Sequence, residues 1–290
     1  MLKLPNFVVQ SLNMAKKTAN KKNSDYIHGF TKTEQDRLYK QARVHEDVIF
    51  SQVDFSEQQR IIEVGSGVGA QTQILLERFP HLTIDCVDAS KEQINRASHT
   101  HKDLIKNKKI KIHHADAAHL PFNEDTFDGA FICWLLEHVQ EPVKILNEVR
   151  RTLKSGGVIY CNEVFNSTFY LHPYSPHTLK FWFEFNDLQW SLKGDPFVGG
   201  KLANYLMQAG YQNITTKVLT HQYDNRTPKK RAAFIEYWCN LLLSGAPSLI
   251  KVGRVDQTIV DGMKAELEKL KNDPDAVIFY SWIQARAVAL

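Results

Sequence analysis

Five short apolar runs, at residues 60 to 64, 83 to 88, 110 to 114, 128 to 133 and 157 to 164, are rich in Ile, Val, Phe and Tyr and bounded by Gly, Asp or Asn. Each reads as a buried strand. Helical stretches lie between them near 70 to 79, 90 to 104 and 142 to 153, the last stopped by a basic turn and glycines in KSGG. Strands alternating with helices of this length build right-handed βαβ units, so the chain is expected to be α/β, with a doubly wound, mostly parallel sheet and helices on both faces. Beyond residue 197 come a helix (199 to 209), a strand (213 to 222), two helices (228 to 244 and 254 to 271) and a final strand, AVIFYSWIQARAV, which brings the sheet to seven strands. This organisation predicts a main domain over 56–290, a helical region at 25–55 ahead of it, and a basic, disordered N-terminus at 1–24. Two helical insertions interrupt the main domain, an aromatic one at 165–197 and a second at 226–272.

Composition narrows the class further. The chain has 290 residues, 43% of them hydrophobic, and a formal charge of +4, which fits a globular protein with a large core. No stretch of about 18 uninterrupted apolar residues is present, and the N-terminal residues lack the apolar block and cleavage site of a signal peptide, so no membrane partner and a cytoplasmic location are expected. Cys86, Cys133, Cys161 and Cys239 are widely spaced, which points to packing rather than to disulfides or a metal site. The lysine runs AKKTANKKN and KNKKIKIHH read as solvated segments or as a phosphate-binding patch, without making a clear case for nucleic acid.

The stretch IIEVGSGVGAQT places Gly65, Gly67 and Gly69 between the first strand and the first helix of the alternating region. With Ala70 in the last place, these glycines satisfy G-x-G-x-x-G/A, so the loop alone does not separate one nucleotide cofactor from another. Asp88 follows about 20 residues later at the end of the next strand, where a carboxylate accepts from both ribose hydroxyls. It could equally cap the helix of DASKEQ. Asp116 ends the third strand and could form an Asx-turn there. Glu63 is the unusual member of the group, because a hydrophobic strand normally has no use for a carboxylate.

These stretches, with HHADAAHLPFNEDTFDGAFICWLLEHV, resemble the class I S-adenosylmethionine-dependent methyltransferases over roughly residues 25 to 220. The resemblance implies S-adenosyl-L-methionine as cofactor. Glu63 would then help hold its aminoacyl end, Gly65, Gly67 and Gly69 would form the tight turn beside it, and Asp88 with Ala89 would meet the ribose. Asp116 would accept from the adenine amino group, the Ala117 backbone would meet the ring, and Cys133 would lie beside the methyl group. Tyr26, in a Y..GF pattern ahead of a helix capped by Thr31 and Glu34, matches a tyrosine that reaches the cofactor in some small-molecule members. The [DN]-P-P-[YF] motif of amino-group methylases is replaced by Cys133, Trp134, Leu135 and Leu136, whereas LEHV is common among members acting on small molecules.

His138 is the residue of this stretch suited to act as a base near neutral pH, or else it is structural. The aromatic segment 162 to 190 reads as a water-excluding lid over an organic acceptor, or as core where Trp182, Phe185 and Gln189 or Trp190 recur at helical spacing. Tyr170 and Trp182 are the expected acceptor contacts, with Glu163 at the strand end as a binder of a cationic or hydroxyl group. The expected activity is methyl transfer to a small organic molecule, its acceptor atom open. Three alternatives stand beside it: an RNA or protein methylase, a non-catalytic cofactor-binding protein, and a nicotinamide oxidoreductase. The last would need a hydride-transfer pair such as Tyr-x-x-x-Lys, which the chain lacks near the fourth and fifth strands.

Overall fold

A computed structural model describes residues 27–29 and 31–290. Tyr26 and the basic segment 1–24 lie outside the described residues. Five parallel strands form the centre of the sheet: β1 (Arg60–Val64), β2 (Thr83–Asp88), β3 (Ile110–His114), β4 (Phe127–Cys133) and β5 (Leu153–Val164). Their order is β3-β2-β1-β4-β5, and the direction changes across β1, where consecutive strands pass to opposite sides. In parallel sheets of this kind the strand C-termini share one edge, and the crevice beside that reversal is where ligands bind. Val64, Asp88, Cys133 and Val164 all end strands there.

The C-terminal strand β8 (Val277–Val288) runs antiparallel to its neighbours, with β7 (Gln212–Tyr223) along it and β5 paired to its Trp282–Val288 half. A short strand that the sequence does not announce, β6 (Tyr170–His172), pairs with Val277–Phe279 of β8 and makes the sheet eight-stranded. Three residues with exposed, buried, exposed pattern are too few for a readable period.

The helices cover both faces. On one, Ile145, Leu146 and Val149 of α5 (Pro142–Thr152) and Leu202 and Leu206 of α7 (Leu202–Gln208) pack on Ile132, Ile159 and Ala285 of the sheet. On the other, Ala42 and Ile49 of α1 (Lys32–Ile49) and Ile74 and Leu75 of α2 (Ala70–Arg78) pack on Ile61, Ile84 and Phe131. Thr31 caps α1 as expected, its hydroxyl accepting the Glu34 N–H at 3.2 Å. The single helix expected at 90 to 104 is two, α3 (Lys91–Thr100) and α4 (Lys102–Lys106), hinged at the buried His101.

A third apolar cluster lies over the strand C-termini, built by α6 (Pro176–Ser191), α8 (Pro228–Lys251), α9 (Gln257–Asn272) and the start of β8. The aromatic segment is thus a packed layer. Phe181, Trp182, Phe185 and Leu188 of α6 are buried among Trp238 and Leu242 of α8 and Met263 and Leu267 of α9. The α6 start is also fixed by polar bonds: the Glu266 carboxylate accepts from the backbone N–H of His177 and Thr178 at 3.0 and 2.8 Å and from the Thr178 hydroxyl at 2.8 Å. α8 continues past the expected end at 244 and through Pro247, whose neighbours Ala246 and Leu249 are anchored in this cluster.

Candidate active site

The three loop glycines all have positive φ, at 76°, 53° and 80°, a region that L side chains adopt only with strain. Each serves a different purpose. A Cβ on Gly65 would sit 3.0 Å from the Leu135 side chain, and one on Gly69 would sit 2.7 Å from the His101 ring. A Cβ on Gly67 would meet nothing within 4 Å, because this backbone faces open space. Gly67 N–H donates to Asp88 Oδ2 at 2.8 Å, and Ser90 N–H donates to Asp88 Oδ1 at 2.7 Å. The carboxylate therefore fixes both the loop and the start of α3, and burial pushes its pKa up against those two donors.

The space beside Gly67 is one end of a cavity of about 320 Å³. Its lining brings together Gly65, Ser66, Gly67, Ala70, Gln71, Asp88 and Ala89 from the glycine loop, the start of α2 and the end of β2, Cys133, Trp134, Leu135, Glu137 and His138 from the end of β4 and the turn after it, and Trp182, Phe185, Gln189, Tyr237, Trp238, Tyr280 and Trp282 from α6, α8 and β8. His28, Arg37 and Gln41, from the N-terminal segment and α1, contribute a further wall. Of the expected site residues, the structure brings Gly65, Gly67, Asp88, Ala89, Cys133, His138 and Trp182 to this cavity.

The others are placed elsewhere. Glu63 lies beneath the loop, 3% exposed, with Thr72 Oγ1 donating to its Oε2 at 2.5 Å; burial raises its pKa to about 8. Gly69 begins α2 behind the cavity wall. Asp116 is exposed and forms the Asx-turn, accepting the Ala118 N–H at 2.9 Å; the cavity lining includes neither it nor Ala117. The turn still neighbours Asp88, since Ala115 N–H donates to the Asp88 carbonyl at 3.1 Å.

Two residues expected on the acceptor side, Glu163 and Tyr170, lie outside the cavity lining. Glu163 is fully buried and directed into the loop after β4, where Oε1 accepts the N–H of Leu135 at 3.0 Å and of Leu136 at 2.8 Å. Burial first, and Glu137 second, raise its pKa well above the ordinary value. It is a brace for that loop and does not line the cavity. The brace has a task, because Trp134 takes φ 56°, costly for a bulky residue, and its N–H is held by the Asn162 carbonyl at 2.9 Å. Tyr170 is 53% exposed on β6 and is not among the cavity-lining residues.

Several lining residues carry no sequence motif. Tyr237 and Trp238 come from mid-α8, and Tyr280 and Trp282 from β8, two strand positions apart on one face. The i, i+2 aromatic pair in YSW was the readable signal for the latter. Glu137 and His138 follow β4 in a short helical turn, with His138 Nε2 3.6 Å from Glu137 Oε1. Among the described residues, no group of three or more His, Cys, Asp or Glu is placed to hold a metal ion, and no helix is long and apolar enough to cross a membrane.

The strand order, the glycine turn and the carboxylate ending β2 define a Rossmann-like cofactor-binding protein. Residues 62–161 match the family model described as a methyltransferase domain, in agreement with the resemblance seen in the sequence. It is similar to the demethylmenaquinone methyltransferase of Clavibacter sepedonicus, 31% identical over 104 residues that cover 36% of this chain and 40% of that protein. It is also similar to the chloroplastic 2-methyl-6-phytyl-1,4-hydroquinone methyltransferase 2 of Oryza sativa subsp. japonica, 30% identical over 117 residues, 40% of this chain and 32% of that one. The chain thus spans well under half the length of these relatives. Among solved structures, phosphoethanolamine N-methyltransferase 2 of Haemonchus contortus with S-adenosyl-L-methionine superposes with a TM-score of 0.52 at 16% identity, over 85% of this chain and 52% of that one. Geranyl diphosphate C-methyltransferase of Streptomyces coelicolor A3(2) gives 0.51 at 14% identity, over 87% and 76%. At such identities these two likenesses concern the fold.

The residues present fit the cofactor at one end of the cavity. The Gly67 backbone faces open space, Asp88 offers a carboxylate beside it, and Gln71 presents a buried Oε1 with no partner among the described residues.

Proposed function

We propose that this protein transfers a methyl group from S-adenosylmethionine to a small organic acceptor held in the aromatic end of the cavity. The observation that carries the reading is continuity: one cavity joins the glycine loop and Asp88, through Cys133 to His138, to a chamber of buried aromatic side chains. Two curated relatives whose names give quinone-type acceptors support a small molecule. When bound, the cofactor supplies a sulfonium-activated methyl carbon.

The chain's own residues have separable tasks. Asp88 and Ala89 hold the ribose side, the Asp116–Ala117 turn bounds the adenine side, and Glu63 acts from beneath the loop through Thr72 and the start of α2. The Trp134–Leu136 turn, braced by Glu163, sets the wall beside the transfer path. The aromatic chamber excludes water and orients the acceptor, and orientation alone can supply on the order of 7 to 11 kcal/mol of the acceleration. For a hydroxyl acceptor, His138 takes the proton.

Calorimetry with S-adenosylmethionine, S-adenosylhomocysteine and NADH tests the cofactor assignment: the first two bind and the third does not. Incubation with isotope-labelled cofactor and fractionated host extract then identifies the product. Labelling of a small molecule supports the proposal, while tight NADH binding or labelling confined to RNA or protein overturns it. His138→Asn should lower kcat about 100-fold or more for a hydroxyl acceptor and leave cofactor affinity unchanged.

A further inference from the structure

Most polar groups around the aromatic chamber are already paired. Asn166 donates from Nδ2 to Asn186 at 2.6 Å, accepts at Oδ1 from the Tyr280 hydroxyl at 2.6 Å, and accepts at its carbonyl from Trp182 Nε1 at 3.2 Å. Four buried atoms among the lining residues have no partner among the described residues: Oε1 of Gln71 beside the glycine loop, and Nε1 of Trp134, Nε1 of Trp238 and Oε1 of Gln189. Trp238 is 2% exposed and Gln189 4%, so bulk solvent does not serve them. The Gln189 amide orientation is settled by its neighbours: Nε2 lies 2.7 Å from Glu137 Oε2 and 3.4 Å from the Glu137 carbonyl, both acceptors. The remaining atom is therefore the oxygen. Buried polar groups of this kind cost roughly 1–3 kcal/mol each when unpaired, which marks them as complementary to something the chamber receives.

The charged groups narrow that ligand. Arg37 is the one Lys or Arg in the lining, and its guanidinium already meets both oxygens of the buried Glu34 carboxylate, at 2.6 and 2.7 Å, and Gln41 at 2.6 Å. Glu137 is also in the lining, and a carboxyl group there disfavours an anion. A phosphorylated or carboxylated acceptor is poorly matched to such walls. Aromatic walls alone would suit a cation, but indole N–H groups are donors and an ammonium offers them no acceptor.

Resting on the methyltransferase reading, we infer that the chamber takes an uncharged, planar acceptor bearing a hydroxyl group, whose oxygen accepts from an unpaired indole N–H and whose proton is donated to Gln189 Oε1. The flat faces of Trp182 and Phe185, stacked 10° from parallel with centroids 5.7 Å apart, form part of the apolar wall. Phenols, naphthols and hydroquinones share the required chemistry.

The test uses the full chain saturated with S-adenosylhomocysteine and four ring-matched probes read by calorimetry: 2-naphthol, naphthalene, 2-naphthyl phosphate and 2-naphthyltrimethylammonium. The hydroxyl probe should bind about tenfold or more tightly than each of the others. Gln189→Leu should remove that advantage over naphthalene without weakening naphthalene itself. Trp238→Phe, which deletes the N–H and keeps an aromatic ring, should reduce it several-fold and stands as the second variant if the first fails to fold. Tightest binding by the phosphate or the ammonium overturns the inference, as does failure of all four probes, or a naphthol advantage that survives both substitutions. Each of these leaves the methyltransferase reading intact so long as S-adenosylhomocysteine binds; its failure to bind defeats that reading instead.

Discussion

Glu63 gives the sharpest quantitative expectation, because it is a carboxyl group 3% exposed with one hydroxyl donor and no cation beside it. Its pKa is about 8 in the folded chain against an ordinary 4.5 when unfolded, burial being the main cause. Between these values the folded state keeps a proton that the unfolded chain has released, so stability falls as pH rises from 4.5 to 8 and levels off above. At about 1.36 kcal/mol per pH unit, the loss across that window is on the order of 4 to 5 kcal/mol. Glu63→Gln keeps the shape and an acceptor for Thr72 but does not titrate. Urea unfolding of the ligand-free protein and the variant, at about pH 5 and pH 8 and equal ionic strength, should show the variant's relative stability rising by about 3 kcal/mol between the two. Parallel pH dependences would refute the argument, because they would mean that Glu63 ionises in the folded chain as readily as in the unfolded one.

Gly67→Val should lower S-adenosylhomocysteine affinity by about 100-fold or more with native circular dichroism, since its side chain enters the cofactor space; Gly69→Ala should instead destabilise, because its Cβ meets His101. Trp182→Ala should cost about 3 to 5 kcal/mol in chemical denaturation, as expected for a buried aromatic, whereas a loss under about 1 kcal/mol would show α6 to be a detachable lid. His221, 4% exposed and 3.1 Å from His45, has its pKa lowered by burial to about 4, so the unfolded chain gains a proton first and about 3 kcal/mol should be lost as pH falls from 6.5 to 4. His221→Phe should flatten that acid limb in the same denaturation assay.

The alternation of apolar runs was sufficient to read the seven main strands, because each run was short, bounded and rich in β-branched or aromatic residues. The glycine-loop side of the cavity was equally legible: Gly65, Gly67 and Asp88 belong to one βαβ unit, and the Gly67 N–H donates to the Asp88 carboxylate. The acceptor end was not. Its walls come from α6, α8, β8 and the segment before α1, elements brought together by long-range packing, so Tyr237 and Trp238 read as an ordinary buried helix face. The placement of Glu163 and Tyr170 outside the cavity lining was not legible for a related reason. Sequence places them at and just after the end of the fifth strand, but where each side chain settles depends on the backbone N–H groups of Leu135 and Leu136 and on the pairing of β6 with β8.

The position of β8 bears on how this chain reaches its native state. Every strand it touches is synthesised before it, and two long helices separate it from β7, the partner along its whole length. Until β8 emerges, β5 and β7 have exposed edges facing each other, and Tyr280 and Trp282 are missing from the chamber. Closure of the sheet and assembly of the acceptor site are therefore a single late event with a high loop-closure cost. A nascent chain arrested before residue 277 would present two unpaired strand edges to its neighbours, the arrangement most prone to association between chains.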